Sequence, residues 1–332
     1  MAVEKDTAIV VRSFAFKEAD RIVTFLTPSF GKVAVVARGS RKARSRLSAS
    51  LELFNIGQLV FTVGAATAPH PVVGFRCYDF QHLASPRRAE LTVLFDAEDG
   101  HLLGIVTGPL LGALRTGAIG GVAIDYLARR DTKTLGLIGA GYQARTQLAA
   151  ALAVRSFNTI RVFSRDPEKR HQFADQMRSQ FDCDIQDVET AKHAAEEADV
   201  LICATTSSDP VIEADWLKPG VHINTVGPKF KDSHELGPDV VELATRLVTD
   251  APAQLEAYGD TLLLHGGPQM DRVEDLSTIV ASQSPPSQTG GPTSTRAATD
   301  ITCFISLGLA GTEVFLAKQL LDSIENGKTT LQ

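Results

Sequence analysis

The stretch that decides the fold is Thr134-Leu-Gly-Leu-Ile-Gly-Ala-Gly-Tyr-Gln-Ala144. A short apolar run ends in a glycine turn, which opens directly into an alanine-rich helical pattern. This is the strand–turn–helix setting that a G-x-G-x-x-A fingerprint requires for dinucleotide binding, with the phosphates at the helix N-terminus; an ordinary strand–helix turn is the alternative. The predicted cofactor residues in this stretch are Gly139, Gly141, Tyr142, Gln143 and Ala144.

Strand and helix patterns continue to alternate after this stretch. Residues 160–163, 200–204, 222–226 and 247–249 have strand patterns, and residues 167–180 have a helical one. Such alternation predicts an α/β fold with a doubly wound parallel sheet of the Rossmann type, in which ligands bind at the carboxyl ends of the strands. The residues predicted to line that crevice, each of which could equally be a plain loop residue, are Thr205, Thr206, Asn224, Val226 and Gly227.

The end of the second strand indicates which dinucleotide is bound. An NAD site usually has an acidic residue there for the ribose hydroxyls, whereas this chain has Ser164-Arg165. A hydroxyl and a guanidinium suit a 2′-phosphate, so we expect NADP to be preferred. Asp166 is one residue further along and leaves NAD as the alternative.

Length and composition predict a soluble globular protein with more than one domain. The chain has 332 residues, of which 44% are hydrophobic and 22% are charged. No apolar run is long enough to predict a membrane span, and residues 1–10 do not resemble a signal sequence. The four cysteines are far apart and the histidines lack ligand spacing, so we expect reduced thiols, a cytoplasmic location and no metal site.

The charge is unevenly distributed along the chain. Residues 1–63 hold ten Lys or Arg against five Asp or Glu, whereas the remaining residues hold 23 against 34. Residues 7–11, 22–26, 32–37 and 58–63 have short strand patterns, which together predict a small β-barrel of the oligonucleotide-binding (OB) kind. The predicted basic loop contains Arg38, Arg41, Lys42, Arg44 and Arg46.

Three runs in this first segment resemble a known family. They are Ala8-Ile-Val-Val-Arg-Ser, Glu18-Ala-Asp-Arg-Ile-Val-Thr-Phe-Leu-Thr-Pro and Gly31-Lys-Val-Ala-Val-Val-Ala-Arg-Gly. They are similar to the N-terminal barrel of the RecO recombination-mediator family. The resemblance implies that residues 1–63 bind single-stranded DNA through the basic loop. A solvated loop on a structural barrel is the alternative.

The rest of the chain resembles the ornithine cyclodeaminase/μ-crystallin family. The ordered motifs that carry the resemblance are Leu91-Thr-Val-Leu-Phe-Asp, Ala113-Leu-Arg-Thr-Gly-Ala, Leu137-Ile-Gly-Ala-Gly, Asn224-Thr-Val-Gly and Ser306-Leu-Gly-Leu-Ala-Gly-Thr-Glu. The resemblance implies hydride transfer between NAD(P) and the Cα of an amino acid or a cyclic imine, in a homodimer. It also implies a three-part chain: a barrel over 1–64, a discontinuous substrate and dimer domain over 65–130 and 300–332, and a Rossmann domain over 131–299.

Arg115 is the first candidate for substrate binding. It lies in a helical pattern over residues 108–129 that is crowded with glycine and alanine, so we expect this helix to be buried or interfacial. A guanidinium there requires a carboxylate, which an intrachain ion pair could supply. The resemblance implies instead that Arg115 binds the substrate α-carboxylate. It also places Ser306 and Gly308 near the nicotinamide, at the start of a final helix predicted over residues 301–325.

The chain departs from the family where proton transfer is expected. Lys229 stands where the cyclodeaminases have a catalytic aspartate, Asp232 is at the wrong offset, and Arg76 replaces a lysine. Lys229 is predicted to donate a proton to an imine nitrogen, with a plain surface lysine as the alternative, and Arg76 to hold a carboxylate. The favoured function is NAD(P)H-dependent reduction of a pyrroline- or piperideine-2-carboxylate. The alternatives are ornithine cyclodeamination and a DNA-binding protein with a silent Rossmann domain.

Overall fold

The computed structural model describes residues 3–27, 29–42, 51, 56–62, 70–77, 91–95, 102–282, 296–309 and 311–325. The chain divides into two compact units by its internal contacts. One unit comprises residues 1–111 with 313–332, and the other comprises residues 112–312. The three-part division expected from the sequence stays a prediction.

Five strands of the first unit form a closed barrel. They are β1 (Val3–Phe16), β2 (Asp20–Thr27), β3 (Gly31–Ala37), β4 (Ile56–Thr62) and β5 (His70–Cys77). Their order is β1-β2-β3-β5-β4, with β1 closing on β4, and only the β3–β5 pair is parallel. The four predicted strands and the OB-like barrel are confirmed. The fifth strand, however, lies beyond residue 64, where the barrel was expected to end.

The barrel core follows the two-residue period of its strands. In β3, Val33, Val35 and Ala37 are buried, while Ala34 and Val36 between them are only half-buried. The buried side chains converge on one interior, which is the core of the barrel. That interior contains Ala8, Val10, Val23, Phe25, Val33, Val35, Ala37, Leu51, Leu59 and Phe61.

Eight parallel strands form the sheet of the second unit, which confirms the predicted fold class. They are β8 (Thr134–Ile138), β9 (Thr159–Phe163), β10 (Asp184–Asp187), β11 (Val200–Cys203), β12 (His222–Thr225), β15 (Arg246–Thr249), β16 (Val273–Asp275) and β17 (Thr302–Ile305). Their order is β10-β9-β8-β11-β12-β17-β15-β16. A short hairpin, β13 (Lys229–Phe230) and β14 (Ser233–His234), follows β12. Every residue of β11, β12 and β17 is buried, as expected where helices cover both faces of a parallel sheet.

The helices within the described residues are mostly short. They are α1 (Leu110–Leu127), α2 (Tyr142–Val154), α3 (Pro167–Gln180), α4 (Ala191–Ala195), α5 (Pro238–Leu243), α6 (Pro252–Tyr258), α7 (Leu276–Ser282) and α8 (Thr312–Glu325). In the first unit, strands β6 (Leu91–Phe95) and β7 (Leu102–Thr107) form an antiparallel hairpin. Leu94 of that hairpin, Leu111 and Ala317 of α8 share a small core.

The final helix begins later than the sequence predicted. It was expected over residues 301–325, but Thr302–Ile305 form β17 and helix α8 begins at Thr312. The strand residues Thr302, Cys303, Phe304 and Ile305 are β-branched, aromatic or small, and they fill a buried position between β12 and β15. Gly308 has a positive φ of 92°, which ends any helical path at this point.

Helix α1 packs closely against α2, as its glycines predicted. A Cβ on Gly117 would lie 2.6 Å from the carbonyl oxygen of Thr146, and one on Gly121 would lie 3.0 Å from the Cβ of Ala150. By length and composition alone, α1 is long and apolar enough to cross a membrane, although no membrane span was expected from the sequence. Its packing against α2 is that of a core helix, which passes the same test.

Candidate active site

The glycine turn after β8 can be made only by glycine. Gly139 has a φ of 121°, and its N–H donates to the carbonyl oxygen of Phe163 at 2.8 Å. A Cβ at Gly139 would lie 2.3 Å from the carbonyl oxygen of Ala204, well inside contact distance. Ala144, the last residue of the fingerprint, is fully buried in the core beneath the turn. The turn therefore has the tight geometry that the fingerprint predicts.

Helix α2 presents its N-terminus without a side-chain cap. Gly141 is the N-cap residue and makes no side-chain hydrogen bond, and a Cβ there would meet no atom within 4 Å. The N–H groups of a first helical turn lack intrahelical partners and attract anions. Tyr142 is exposed beside this opening and Gln143 is half-buried. This geometry is compatible with a pyrophosphate, and cofactor binding by these residues stays a prediction.

In the segment after β9, the carboxylate of Asp166 is engaged by the helix that follows. The carboxylate of Asp166 caps α3 by accepting a hydrogen bond from the Lys169 N–H at 3.2 Å, and its second oxygen lies 3.4 Å from Lys169 Nζ. The cap hydrogen bond holds the pKa of Asp166 below its usual value. Because Asp166 is engaged by the helix, Ser164 and the exposed Arg165 are the better candidates for contact with the ribose.

A buried carboxylate joins the carboxyl ends of two central strands. Glu235 accepts hydrogen bonds from the N–H of Thr205 after β11, from Thr225 Oγ1 at 2.9 Å and from the N–H of Gly227 at 2.7 Å. Thr206 is exposed, and the N–H of Val226 donates to Cys203 O at 2.9 Å. Glu235 thereby shapes the edge where the cofactor crevice was predicted, although the sequence analysis gave it no role.

Asn224 points away from that edge. Its Nδ2 donates to Gly120 O of α1 at 3.0 Å, and its Oδ1 lies 2.8 Å from Nε2 of His222. Both side chains are completely buried. The contacts engage the amide of Asn224 in packing between the sheet and α1. Its direct contact with the cofactor stays a prediction.

Lys229 lies in β13 with its ammonium group turned inward. Nζ donates to the carbonyl oxygen of Ser306 and lies 3.5 Å from Val226 O. Burial lowers the pKa of Lys229 to about 8, although the negative charges of Glu235 and Asp250 act in the opposite direction. A desolvated lysine with such a pKa exchanges protons readily near neutral pH. Lys229 is therefore not a plain surface lysine.

Asp250 orders the loop that lies between Lys229 and Arg115. Its Oδ1 accepts from the N–H of Leu307 at 2.7 Å, and its Oδ2 accepts from the N–H of Gly308 at 3.1 Å. A Cβ on Gly308 would lie 3.4 Å from Nη1 of Arg115, so the guanidinium lies against this glycine. The loop 306–308 thus contacts two cationic groups, the ammonium of Lys229 and the guanidinium of Arg115.

A cavity of about 390 Å³ opens beside this loop. Its walls combine the Lys229 side chain with aromatic and aliphatic groups, and Phe230 meets Tyr258 edge to face at 5.4 Å between ring centroids. The cavity is large enough for a small organic acid. Its lining residues are Gly227, Pro228, Lys229, Phe230, Ser233, Tyr258 and Leu307.

Arg76 and the basic loop belong to the other unit. Arg76 lies in β5, and only its backbone is described. Arg38, Arg41 and Lys42 follow β3, whereas Arg44 and Arg46 lie outside the described residues. Arg41 Nη1 donates to the carbonyl oxygen of Lys17 at 3.1 Å, which brings the basic loop beside the β1–β2 turn.

The β1–β2 hairpin carries an aromatic and cationic surface that the sequence analysis missed. Phe14 and Phe16 are 41% and 36% exposed. The guanidinium of Arg12 lies 5.0 Å from the ring centroid of Phe14, and Lys17 Nζ lies 5.5 Å from that of Phe16. Alternation along one strand is the signal that could have revealed it, because residues 12, 14 and 16 share one face.

Comparison with known proteins matches the two parts of the chain separately. The model of the Ornithine cyclodeaminase/mu-crystallin family matches residues 65–328, and that of the Recombination protein O N terminal matches residues 1–67. Ketimine reductase mu-crystallin of Rattus norvegicus is 29% identical over 245 residues, covering 74% of this chain and 72% of the relative. Delta(1)-pyrroline-2-carboxylate reductase of Bacillus cereus is 33% identical over 241 residues, covering 71% and 72%.

A solved structure extends the likeness over nearly the whole chain. The structure is Thermococcus litoralis Delta(1)-pyrroline-2-carboxylate reductase in complex with NADH and L-proline. Its TM-score is 0.63 at 26% sequence identity, and the match covers 99% of this chain and 90% of that one.

Proposed function

Because this chain belongs to the ornithine cyclodeaminase/mu-crystallin family, we propose that it is an NAD(P)-dependent reductase of imino acids of the pyrroline- or piperideine-2-carboxylate type. The observation that carries the proposal is the pair of cations, Arg115 and Lys229, against the loop 306–308. One cation suits the carboxylate of such a substrate, and the other suits its nitrogen. The reductase names of the two relatives support the same reaction class.

The cofactor is a nicotinamide dinucleotide held at the turn after β8. Gly139, Gly141 and the α2 N-terminus receive the pyrophosphate, and the bound nicotinamide supplies the hydride. We further propose that NADP is preferred over NAD, because Asp166 is engaged as the α3 cap and leaves Ser164 and Arg165 for a 2′-phosphate. Ser306, Gly308, Thr205, Thr206, Val226 and Gly227 line the rest of the crevice in this proposal.

Arg115 orients the substrate by binding its α-carboxylate. A guanidinium forms paired, charge-assisted hydrogen bonds with a carboxylate, and such bonds fix both distance and direction. Helix α1 presents this group against Gly308, where a Cβ would lie 3.4 Å from Nη1 of the guanidinium. The role of Arg76 in holding a carboxylate stays a prediction from the sequence, because Arg76 lies in the other unit.

Lys229 supplies the proton that completes the reduction. When hydride reaches the imine carbon, the nitrogen gains an electron pair and must take a proton to become an amine. With a pKa near 8, Lys229 is mainly protonated at neutral pH and holds this proton less tightly than an exposed lysine does. The carbonyl oxygen of Ser306 accepts a hydrogen bond from the ammonium group and so orients it.

Cyclodeamination of ornithine is the less favoured reaction. That chemistry requires a carboxylate where this chain has Lys229, and the resembling enzymes place an aspartate there. Asp232 does not substitute for it, because it is exposed in the turn between β13 and β14. An assay with ornithine and NAD that produced proline would reverse this preference.

The barrel supports a second candidate function, binding of single-stranded DNA. The exposed rings of Phe14 and Phe16, each with a cation beside it, suit stacked bases and phosphates. The similarity of residues 1–67 to the Recombination protein O N terminal favours the same partner. We propose this binding as an additional property of the barrel, alongside the reductase.

We also propose that the chain forms a homodimer, as expected from the sequence. Light scattering of the full chain would test it.

A fluorescence titration of the full chain with NADPH and with NADH is the first test of the enzyme. Saturable binding that favours NADPH is expected, followed by oxidation of NADPH when pyrroline-2-carboxylate or piperideine-2-carboxylate is added. Binding without turnover of either imine would contradict the reductase. Absence of binding would leave DNA binding as the leading function.

A further inference from the structure

We propose that Gln147 and Asn224 are positioning residues, which hold helix α1 in the register that presents Arg115 to the substrate carboxylate. The inference rests on the proposed role of Arg115. It concerns a buried polar network between the sheet, α2 and α1, rather than the groups that line the cavity.

Two buried amides reach the backbone of α1 close to Arg115. Gln147 of α2 donates from Nε2 to Thr116 O at 3.0 Å, and Asn224 of β12 donates from Nδ2 to Gly120 O at 3.0 Å. Both side chains are fully buried. Thr116 is the residue next to Arg115, and Gly120 lies about 6 Å beyond Thr116 along the helix axis. The two hydrogen bonds therefore fix the turn of α1 that carries the guanidinium.

Gly120 makes room for both amides. A Cβ there would lie 2.2 Å from Gln147 Oε1 and 3.1 Å from Asn224 Nδ2. A glycine inside a helix is less favourable than an alanine, so the close approach must return a benefit. Apolar side chains could fill this interface without burying polar groups, whose desolvation is costly. The arrangement is explained if the exact position of α1, and hence of Arg115, matters more than the stability of the helix.

His222 fixes which way the Asn224 amide points. Since Asn224 Nδ2 donates to Gly120 O, its Oδ1 must accept from His222 Nε2, at 2.8 Å. A neutral ring that donates from Nε2 has an acceptor at Nδ1, which lies 2.8 Å from Thr302 Oγ1; the same hydroxyl lies 3.3 Å from its other acceptor, Leu127 O. Burial, followed by the positive charge of Arg296, lowers the pKa of His222 to about 3, so the ring keeps this neutral tautomer at neutral pH. An inverted amide would face Gly120 O with oxygen and lose the bond.

The network ties α1 to the two elements that form the cofactor site. Gln147 belongs to α2, whose N-terminus receives the phosphates, and Asn224 belongs to β12, whose end forms the crevice. The carboxylate-binding group is thereby aligned with the cofactor. Small errors in such alignment reduce rates steeply. Asn224 thus acts through α1 in this proposal, not by direct contact with the cofactor.

The test uses Asn224→Leu and Gln147→Met, which keep side-chain size and remove the donors. Thr245→Val is the matched control, because Thr245 Oγ1 donates to Ile301 O at 2.7 Å and so loses a side-chain hydrogen bond outside α1. Each positioning variant is expected to raise KM for the imino acid at least tenfold while the Kd for NADPH changes less than twofold. The control is expected to change neither.

A double-mutant cycle separates positioning from general damage. In an Arg115→Ala background, Asn224→Leu is expected to raise KM no further, because its effect passes through Arg115. Additive effects, or a KM unchanged by both single variants in an active enzyme, would overturn the proposal. If the wild-type chain reduces no imine, the proposed function fails instead. Hydrogen exchange then tests whether the network holds α1 even in an inactive protein. In Asn224→Leu, the exchange rate of the amides in residues 110–127 is expected to rise tenfold, while that in residues 167–180 stays constant.

Discussion

In the barrel, the groups suited to a ligand stand on the outside, whereas in the parallel sheet they are buried at one edge. Phe14 and Phe16 are exposed on β1, and each lies beside a neighbouring cation. Glu235 and Asp250, by contrast, are buried and bound to backbone N–H groups of separate segments. An exposed side chain can be replaced without disturbing the backbone beneath it. In the buried site, the residues that shape the site also hold the surrounding backbone in place. Substitutions in the two regions should therefore have different signatures.

The largest effect is expected at Arg115. We expect Arg115→Ala to lower kcat/KM for the imino acid about 1,000-fold, because losing one partner of a desolvated charge pair costs about 4 kcal/mol. NADPH binding, measured by fluorescence, should change less than twofold. Arg130→Ala is the matched control, since Arg130 is an exposed arginine just beyond α1 that pairs with Asp125 at 3.5 Å. Equal kinetics for wild type and Arg115→Ala would remove Arg115 from the site.

Lys229 tests whether a buried cation at the sheet edge transfers a proton. Lys229→Met is expected to lower kcat about 100-fold, which is within the usual range for general acid catalysis. In the wild type, kcat should be retained below pH 8 and fall as the pH rises through about 8, because only the ammonium form donates. Lys231→Met, at an exposed neighbouring lysine, should keep both the rate and the pH profile. A wild-type profile flat from pH 7 to pH 9 would contradict the assignment.

Gly139 tests how far the buried site depends on its backbone. Gly139→Ala is expected to weaken NADPH binding about 30-fold, since overpacking by one methyl group costs about 2 kcal/mol. Gly108→Ala is an informative control: its φ of 111° imposes similar strain, yet a Cβ there meets nothing within 4 Å. Titration of both variants with NADPH separates the effect of the collision with Ala204 from the effect of the strained backbone conformation. Equal losses in the two variants would show that conformation alone matters.

The smallest effect on catalysis is expected in the barrel. Phe14→Ala should leave kcat and KM for the imino acid within twofold of wild type but weaken oligonucleotide binding about tenfold, as expected for one lost stacking contact. Phe315→Ala, at an exposed phenylalanine of α8, should change neither property. Polarisation assays at several salt concentrations would measure the binding. A large loss of turnover in Phe14→Ala would mean that the barrel surface is part of the enzyme.

Local patterns predicted much of this molecule. The alternation of short apolar runs and helical segments gave the parallel sheet, and the two-residue period gave four barrel strands. The glycine turn could be read because φ restricts the residue type at Gly139. Strand β17 was mistaken for the start of a helix, because a four-residue apolar run does not distinguish the two without its neighbours.

The supporting carboxylates could not have been found in this way. Glu235 and Asp250 bind backbone N–H groups of segments 8 to 58 residues away in the chain. Backbone donors leave no residue-type signal, so no spacing reveals them. Lys229 was singled out only as a departure from a resembling family. Its buried ammonium follows from the position of Ser306, at the far end of the second unit.

The fifth barrel strand has a consequence for the newly made chain. Strand β5 comes from the segment that the enzyme family model matches, yet it closes the barrel between β3 and β4. Until residue 77 leaves the ribosome, β3 and β4 each keep an open edge that can pair with other chains. Synthesis of the first part of the enzyme segment therefore completes the fold that precedes it. A chain that ended after residue 67 would contain every residue that matches the Recombination protein O N terminal, yet its sheet would stay open at β3 and β4.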